Sequence, residues 1–138
     1  LDLSLTVLMG IFVFQVPLRG SITLLFILSS IYILVALSLG LTISAVAKSQ
    51  LLANQMAMVI GFLPTFLLSG FTFAISNMPL WLQIITYGIA PRYYVTILKE
   101  IFLKGSDLSF LWQETLVLIG LAIAGLCVAN RSFKKELR

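Results

Sequence analysis

The stretch GSITLLFILSSIYILVALSLGLTIS, residues 20–44, carries no charged side chain and exceeds the ~20 apolar residues that cross a hydrocarbon core of ~30 Å. No other feature limits the possible folds as sharply. A helix that is hydrophobic all round is solvated either by lipid or by the interior of a large protein, and 138 residues do not make one. Two further runs meet the same length criterion: LLANQMAMVIGFLPTFLLSGFTFAI (51–75), and a run from about 108 to 130 bounded by Asp107 and Arg131. Residues 1–16 read as the end of a fourth span. Charged residues make up 10% of the chain and mean hydropathy is +1.11, whereas a soluble domain carries ~25% charge. So few charges cannot cover a water-exposed surface. The expected fold class is an all-α integral membrane protein with four transmembrane helices. Leu1 is followed at once by apolar sequence, without the charged n-region or cleavage site of a signal peptide; we therefore expect the C-terminal part of a longer chain.

The stretch NMPLWLQIITYGIAPRYYVTILKEIFLKG, 77–105, is too broken to span a membrane and too apolar to be a solvated loop. Pro79 suits the first turn of a short helix, with Ser76 or Asn77 near its cap and Gly88 at its end. Pro91 opens a second helix running to about Leu103, with Gly105 as its C-terminal cap. That second helix is amphipathic. Tyr94, Ile97, Leu98, Ile101 and Phe102 fall on one face, while Arg92, Thr96, Lys99 and Glu100 lie away from it. Its thirteen residues (91–103) rise ~20 Å, short of a crossing. We expect two short re-entrant or interfacial helices on the outer side before the last span, with Trp81, Tyr87, Tyr93, Tyr94 and Trp112 as interfacial aromatics. Irregular backbone at membrane depth is tolerated only in protein or beside a water-filled cavity, which points to a vestibule or lid.

Four crossings place the chain start, the turn at Lys48 and the tail 131–138 on one side, and the turn 16–20 with 76–107 on the other. Arg131, Lys134, Lys135 and Arg138 crowd the end of the last span, so the tail is expected in the cytoplasm. The net charge of +4 is scattered apart from this tail and is no nucleic-acid signal; the expected partner for it is the lipid surface.

Small residues recur four apart on both sides of the turn AVAKSQ: Ala36, Gly40 and Ser44 before it, Ala53, Ala57 and Gly61 after it. Equal distance from the turn puts them at equal depth, so the two helices are expected to pack through these faces. Gly120 and Ala124 suggest a similar contact for the last helix. Ser30, Ser38 and Thr42 leave two readings open, a hydroxyl-lined surface or hydroxyls bonded to their own helix's carbonyls. Pro64, flanked by Gly61 and Gly70, removes a backbone hydrogen bond and should kink or unwind its helix. Glu114 either reaches interfacial water or pairs with Arg92, Lys99 or Lys104. The structural and gating candidates are Pro64, Gly70, Pro79, Pro91, Arg92, Tyr94 and Glu114.

Enzymatic chemistry is not expected. The chain has no His, no acidic pair at mid-span and the single Cys127, so no catalytic, cofactor or metal site is assigned. No G-x-x-x-x-G-K-[ST] is present to cradle ATP.

The series PLRGS, SQLLANQ, LPTFLLSGF, NMPLWLQIITY, PRYYVTILKEIFLKG and the basic tail, in this order, resembles the permease subunits of ABC-2 type transporters. The resemblance covers nearly the whole chain. It implies six helices per permease with cytoplasmic termini, of which this chain carries the last four, and it places 77–105 as the external re-entrant pair. It further implies a bacterial cytoplasmic membrane, a dimer of two permease copies, and an ABC ATPase, fused or separate, that drives switching between inward- and outward-facing states. Typical cargoes are small drugs, lipids and polysaccharides, mostly exported. The alternative is a passive channel or membrane scaffold without ATP coupling.

Overall fold

The computed structural model describes residues 1–105 and 108–136, and among these every regular element is helical. Helix α1 is Asp2–Phe12, and α2 is Ile22–Val46. A single apolar rod, Gln50–Leu68, is assembled from α3 (Gln50–Met56), a π-helical turn (Ala57–Phe62) and α4 (Leu63–Leu68). After a 3-10 turn at Ile75–Asn77 come α5 (Leu80–Thr86) and α6 (Ala90–Lys99), the latter prolonged by a π-helical turn, Glu100–Lys104. Helix α7 is Leu108–Glu136.

Three of these helices are long and apolar enough to cross a membrane: Ile22–Val46, Gln50–Leu68 and Ser109–Ser132. The expected fourth span appears as α1, whose 11 residues rise only ~16 Å. The predicted run 51–75 is also shorter than expected. Its helix stops at Leu68, because Gly70 turns left-handed at φ +79° and the Ser69 hydroxyl accepts from Phe71 N at 3.3 Å. The predicted tail at 131 instead continues α7 as far as Glu136. Asp107, expected to bound the last span, lies outside the described residues, as do Ser106, Leu137 and Arg138.

Local chemistry sets the ends. The Ser21 and Ser49 hydroxyls accept from the N–H groups of Leu24 and Leu52, capping α2 and α3. Pro64 sits in the first turn of α4, downstream of the π turn, where Leu63 N bonds back to Met58 O. One inserted residue thus absorbs the backbone hydrogen bond that proline cannot make.

The core is built from α2, α6 and α7. Leu25, Leu28 and Val35 meet Ala90, Ile97 and Ile101 together with Leu111, Leu118 and Ala122. Two glycine contacts fix one end of it. A Cβ at Gly20 would stand 2.9 Å from Ile101 O, and one at Gly105 would stand 2.8 Å from Arg19 O; Gly105 is also left-handed, at φ +66°. The turn before α2 therefore lies directly on the turn that ends α6. Both α2 and α7 start from this end, and they still touch at Ser38 and Gly125, about 24 Å further along. They run parallel.

The two small-residue stripes do not close on each other. Helix α2 commits Leu25, Leu28, Val35, Ser38 and Ala45 to burial, while Ala36, Gly40 and Ser44 remain exposed. A Cβ at Gly40 or Gly61 would meet nothing within 4 Å, and the same holds for Gly120. The close glycine approach is at Gly125, five residues beyond Gly120, because Gly125 is the residue that faces the buried Ser38.

Candidate functional site

Two features stand out, the helix pair α5–α6 and a cavity bordered by its junction. Pro79 is the N-cap of α5 rather than its first helical residue; its carbonyl accepts from Leu82 N and Gln83 N. Gln83 Nε2 donates to Met78 O at 2.8 Å. Pro91 lies in the first turn of α6, as its ring and missing N–H favour. Gly105 caps the far end, its N–H bonding Glu100 O.

Arg92 clasps the two helices together. Its Nη1 donates to the Thr86 hydroxyl and, at 3.4 Å, to Gln83 O, while its guanidinium carbon lies 4.0 Å from the Tyr87 ring centroid. Thr86 is fully buried and donates in turn to Gln83 O at 2.7 Å. The Tyr93 hydroxyl adds a bond to Tyr87 O at 2.7 Å. A cation at the carbonyl end of a helix opposes the negative end of its dipole. Lys99 does the same for α4: its Nζ donates to Gly70 O at 2.9 Å. Gly70 thus serves as both the stop of α4 and an anchor for α6.

Tyr94 ties α6 to α2. It shares a 2.8 Å hydrogen bond with the Ser29 hydroxyl and stacks on Tyr32 with ring centroids 4.2 Å apart and planes 2° from parallel. The amphipathic reading of α6 holds here, since Ile97 and Ile101 are fully buried and Lys99 is exposed.

Glu114 sits on α7 between the core residues Leu111 and Leu118. Among the described residues its buried Oε2 has no hydrogen-bond partner, and neither has the neighbouring Thr115 hydroxyl. The three cations considered for it bind elsewhere: Arg92 at Thr86, Lys99 at Gly70, and Lys104 at Glu100 with a 2.5 Å ion pair.

The cavity, of about 790 Å³, collects several predicted residues that the helix contacts do not. Ala36 and Gly40 of α2 face it, opposite Ala57 and Gly61 of the π turn and Pro64 of α4. Gly88, Ile89 and Pro91 of the α5–α6 junction close one end, and Ala124 and Gly125 of α7 form another wall. Ser44, Ala53, Gly70, Pro79, Arg92, Tyr94 and Glu114 are not part of its lining. A smaller apolar pocket of about 510 Å³ lies between α4 and α5, and Pro64 and Pro79 both border it.

The hydroxyls of α2 are bonded within the helix. Ser30 donates to Phe26 O, Ser38 to Val35 O and Thr42 to Ser38 O, at 2.7–2.8 Å. Sequence reasoning missed three features: Lys99 as a ligand of Gly70 O, Tyr32 at the cavity wall, and the paired close approaches of Gly20 to Ile101 and of Gly105 to Arg19. The last had a visible signal, since PLRG and FLKG both end on glycine on the same expected side.

The model of the ABC-2 family transporter proteins matches residues 2–130. A probable multidrug ABC transporter permease of Escherichia coli K12, YbhS, is 40% identical over 123 residues, covering 89% of this chain and 33% of that protein. A second E. coli K12 protein of the same description, YbhR, is 29% identical over 134 residues, covering 97% and 36%. ABC transporter G family member 20 of Dictyostelium discoideum is 29% identical over 120 residues, 86% of this chain and 16% of that protein. The chain thus spans about a third or less of the length of these relatives. No solved structure matches it.

Proposed function

This chain belongs to the ABC-2 family of transporter proteins, and on that premise we propose that it forms part of the membrane pathway of an ATP-driven exporter. In this reading a second permease copy completes the pathway, and a separate or fused ABC ATPase on the cytoplasmic side supplies the energy. The cargo is a small drug-like molecule, in keeping with the multidrug description of YbhS and YbhR. The C-terminal end of α7, with exposed Arg131 and Lys134, lies at the cytoplasmic face of the inner membrane.

The observation that carries this reading is the placement of α5–α6. The pair stands between the last two membrane-length helices, yet its junction Gly88–Pro91 borders the same cavity as Tyr32, ten residues into α2 and hence ~15 Å below its start. Its far end returns to the turn before α2. A proline-started pair that dips and returns is a re-entrant hairpin, and Arg92 and Lys99 brace it by binding the backbone carbonyls of Gln83 and Gly70.

The test is reconstitution of the full-length protein with a nucleotide-binding partner in lipid. Cargo-dependent stimulation of ATP hydrolysis is expected, and it is lost when the partner's ATP site is disabled. ATP hydrolysis that ignores both the permease and every cargo rejects the exporter reading in favour of a passive channel or scaffold.

A further inference from the structure

We propose that the rod Gln50–Leu68 is a hinged strut. It swings at the turn 47–49, is latched at its other end by Lys99 on the Gly70 carbonyl, and moves against a frame made of α2, α6 and α7. Releasing the latch changes the width of the cleft that Ala36 and Gly40 share with Ala57 and Gly61. The device is a property of the chain's own packing and stands whether or not ATP drives it.

The frame is locked from within. Gly20 lies against the main chain of Ile101, Gly105 against that of Arg19, and Gly125 presses on Ser38. Tyr94 adds its bond to Ser29 and its stack on Tyr32. Contacts this close leave no slack for small displacements. The rod shares none of them. Among the described residues, none in 50–68 is buried, and none belongs to the core of α2, α6 and α7 or to the half-buried apolar side chains packed on it. Tilting the rod therefore leaves that core intact.

Both ends of the rod suit such a motion. At the hinge, Ala47 and Ser49 are extended, with ψ of 121° and 155°, so α2 and α3 are joined through non-helical backbone. At the latch, the end of α4 and the loop after it form one unit. Thr72 Oγ1 donates to Phe66 O at 3.0 Å, and left-handed Gly70 folds back so closely that an added Cβ would stand 3.0 Å from Ile75 Cδ1. Lys99 Nζ reaches this unit through its 2.9 Å bond to Gly70 O. Lys99 is exposed, and an exposed ammonium exchanges such a bond for water with little loss. The tie is strong enough to set a resting position and weak enough to open. Within the rod, the π turn Ala57–Phe62 and Pro64 supply a further point of bending.

The test uses the full-length protein in lipid nanodiscs without nucleotide, with Cys127→Ser to clear the native thiol. Spin labels are attached at exposed positions: Leu34→Cys with Leu63→Cys reports α2 against the rod, and Leu34→Cys with Ile123→Cys reports α2 against α7. Pulsed dipolar spectroscopy reads both distance distributions. Lys99→Met should raise the share of the 34–63 distribution lying outside the parent's main peak roughly 2- to 10-fold and leave the 34–123 distribution unchanged. Lys99→Ala repeats the loss of the donor with a smaller side chain, so a folding defect of one variant does not decide the outcome. An unchanged 34–63 distribution in both variants removes the latch and overturns the proposal. So does equal broadening of the 34–123 pair, because α2 and α7 would then not form a frame.

Discussion

Gly120→Ala and Gly125→Ala make the same chemical change five residues apart on α7 and should act in opposite directions. At Gly120 the new methyl meets nothing within 4 Å, and alanine's helix preference contributes up to about 1 kcal/mol of stabilisation. At Gly125 the methyl would overlap the Ser38 hydroxyl and stand 3.1 Å from Ser38 Cβ. Ser38 is fully buried and donates to Val35 O at 2.7 Å, so it has no free rotation to give. Either it leaves that bond, a loss of ~0.6 kcal/mol by membrane-protein averages, or α2 and α7 move apart. Overpacking of this kind costs ~1–3 kcal/mol. After subtracting the helix preference, Gly125→Ala should destabilise the fold by up to ~2 kcal/mol, and because that preference is common to both sites it should differ from Gly120→Ala by ~1–3 kcal/mol. Reversible unfolding of the full-length protein in mixed micelles, followed by tryptophan fluorescence and circular dichroism, measures both. Ser38→Gly in the Gly125→Ala background should recover at least ~1 kcal/mol, since it removes both clashing atoms. Equal stability of the two alanine variants, or no recovery in the double variant, would refute parallel close packing of α2 on α7.

Arg92→Lys keeps the charge but loses the planar group that spans Thr86, Gln83 and Tyr87; it should loosen the α5–α6 junction by ~1–2 kcal/mol, read as faster proteolysis within 87–90, and an unchanged rate would sink the clasp. Lys99→Met should release Gly70 O, and a loss of ~1 kcal/mol speeds amide exchange over 69–75 by about fivefold; unaltered exchange there counts against the tie. A cysteine at the exposed Ser76 should react with an impermeant reagent in intact cells, and reaction only after lysis would invert the proposed topology. Gly105→Ala combines a left-handed backbone with a 2.8 Å approach to Arg19 O and should destabilise by more than the ~1 kcal/mol of backbone strain alone, measured by the same unfolding assay.

What the sequence reveals depends on whether a residue acts through its own backbone or through a neighbour. Pro91 and Gly105 bracket α6 as expected because ring closure and left-handed φ are local properties. The apolar face of α6 was legible for the same reason: period and side-chain type determine it. The end of α4 was not, since Ser69 and Gly70 sit inside a run that hydropathy reads as continuous to residue 75. Helix partners were the least legible. Ala36, Gly40, Ala57 and Gly61 announce a small face, but only tertiary structure says that the face borders a cavity while Gly125 takes the close contact. Lipid solvates every apolar face alike, so hydrophobic pattern carries no information on which helix lies opposite.

The Gly20–Ile101 and Arg19–Gly105 approaches have a mechanical meaning. Where main chain rests on main chain, no flexible side chain is available to take up a displacement. The corner ahead of α2 and the foot of the α5–α6 pair are riveted at two points, and any tilt of that pair becomes leverage on the whole length of α2.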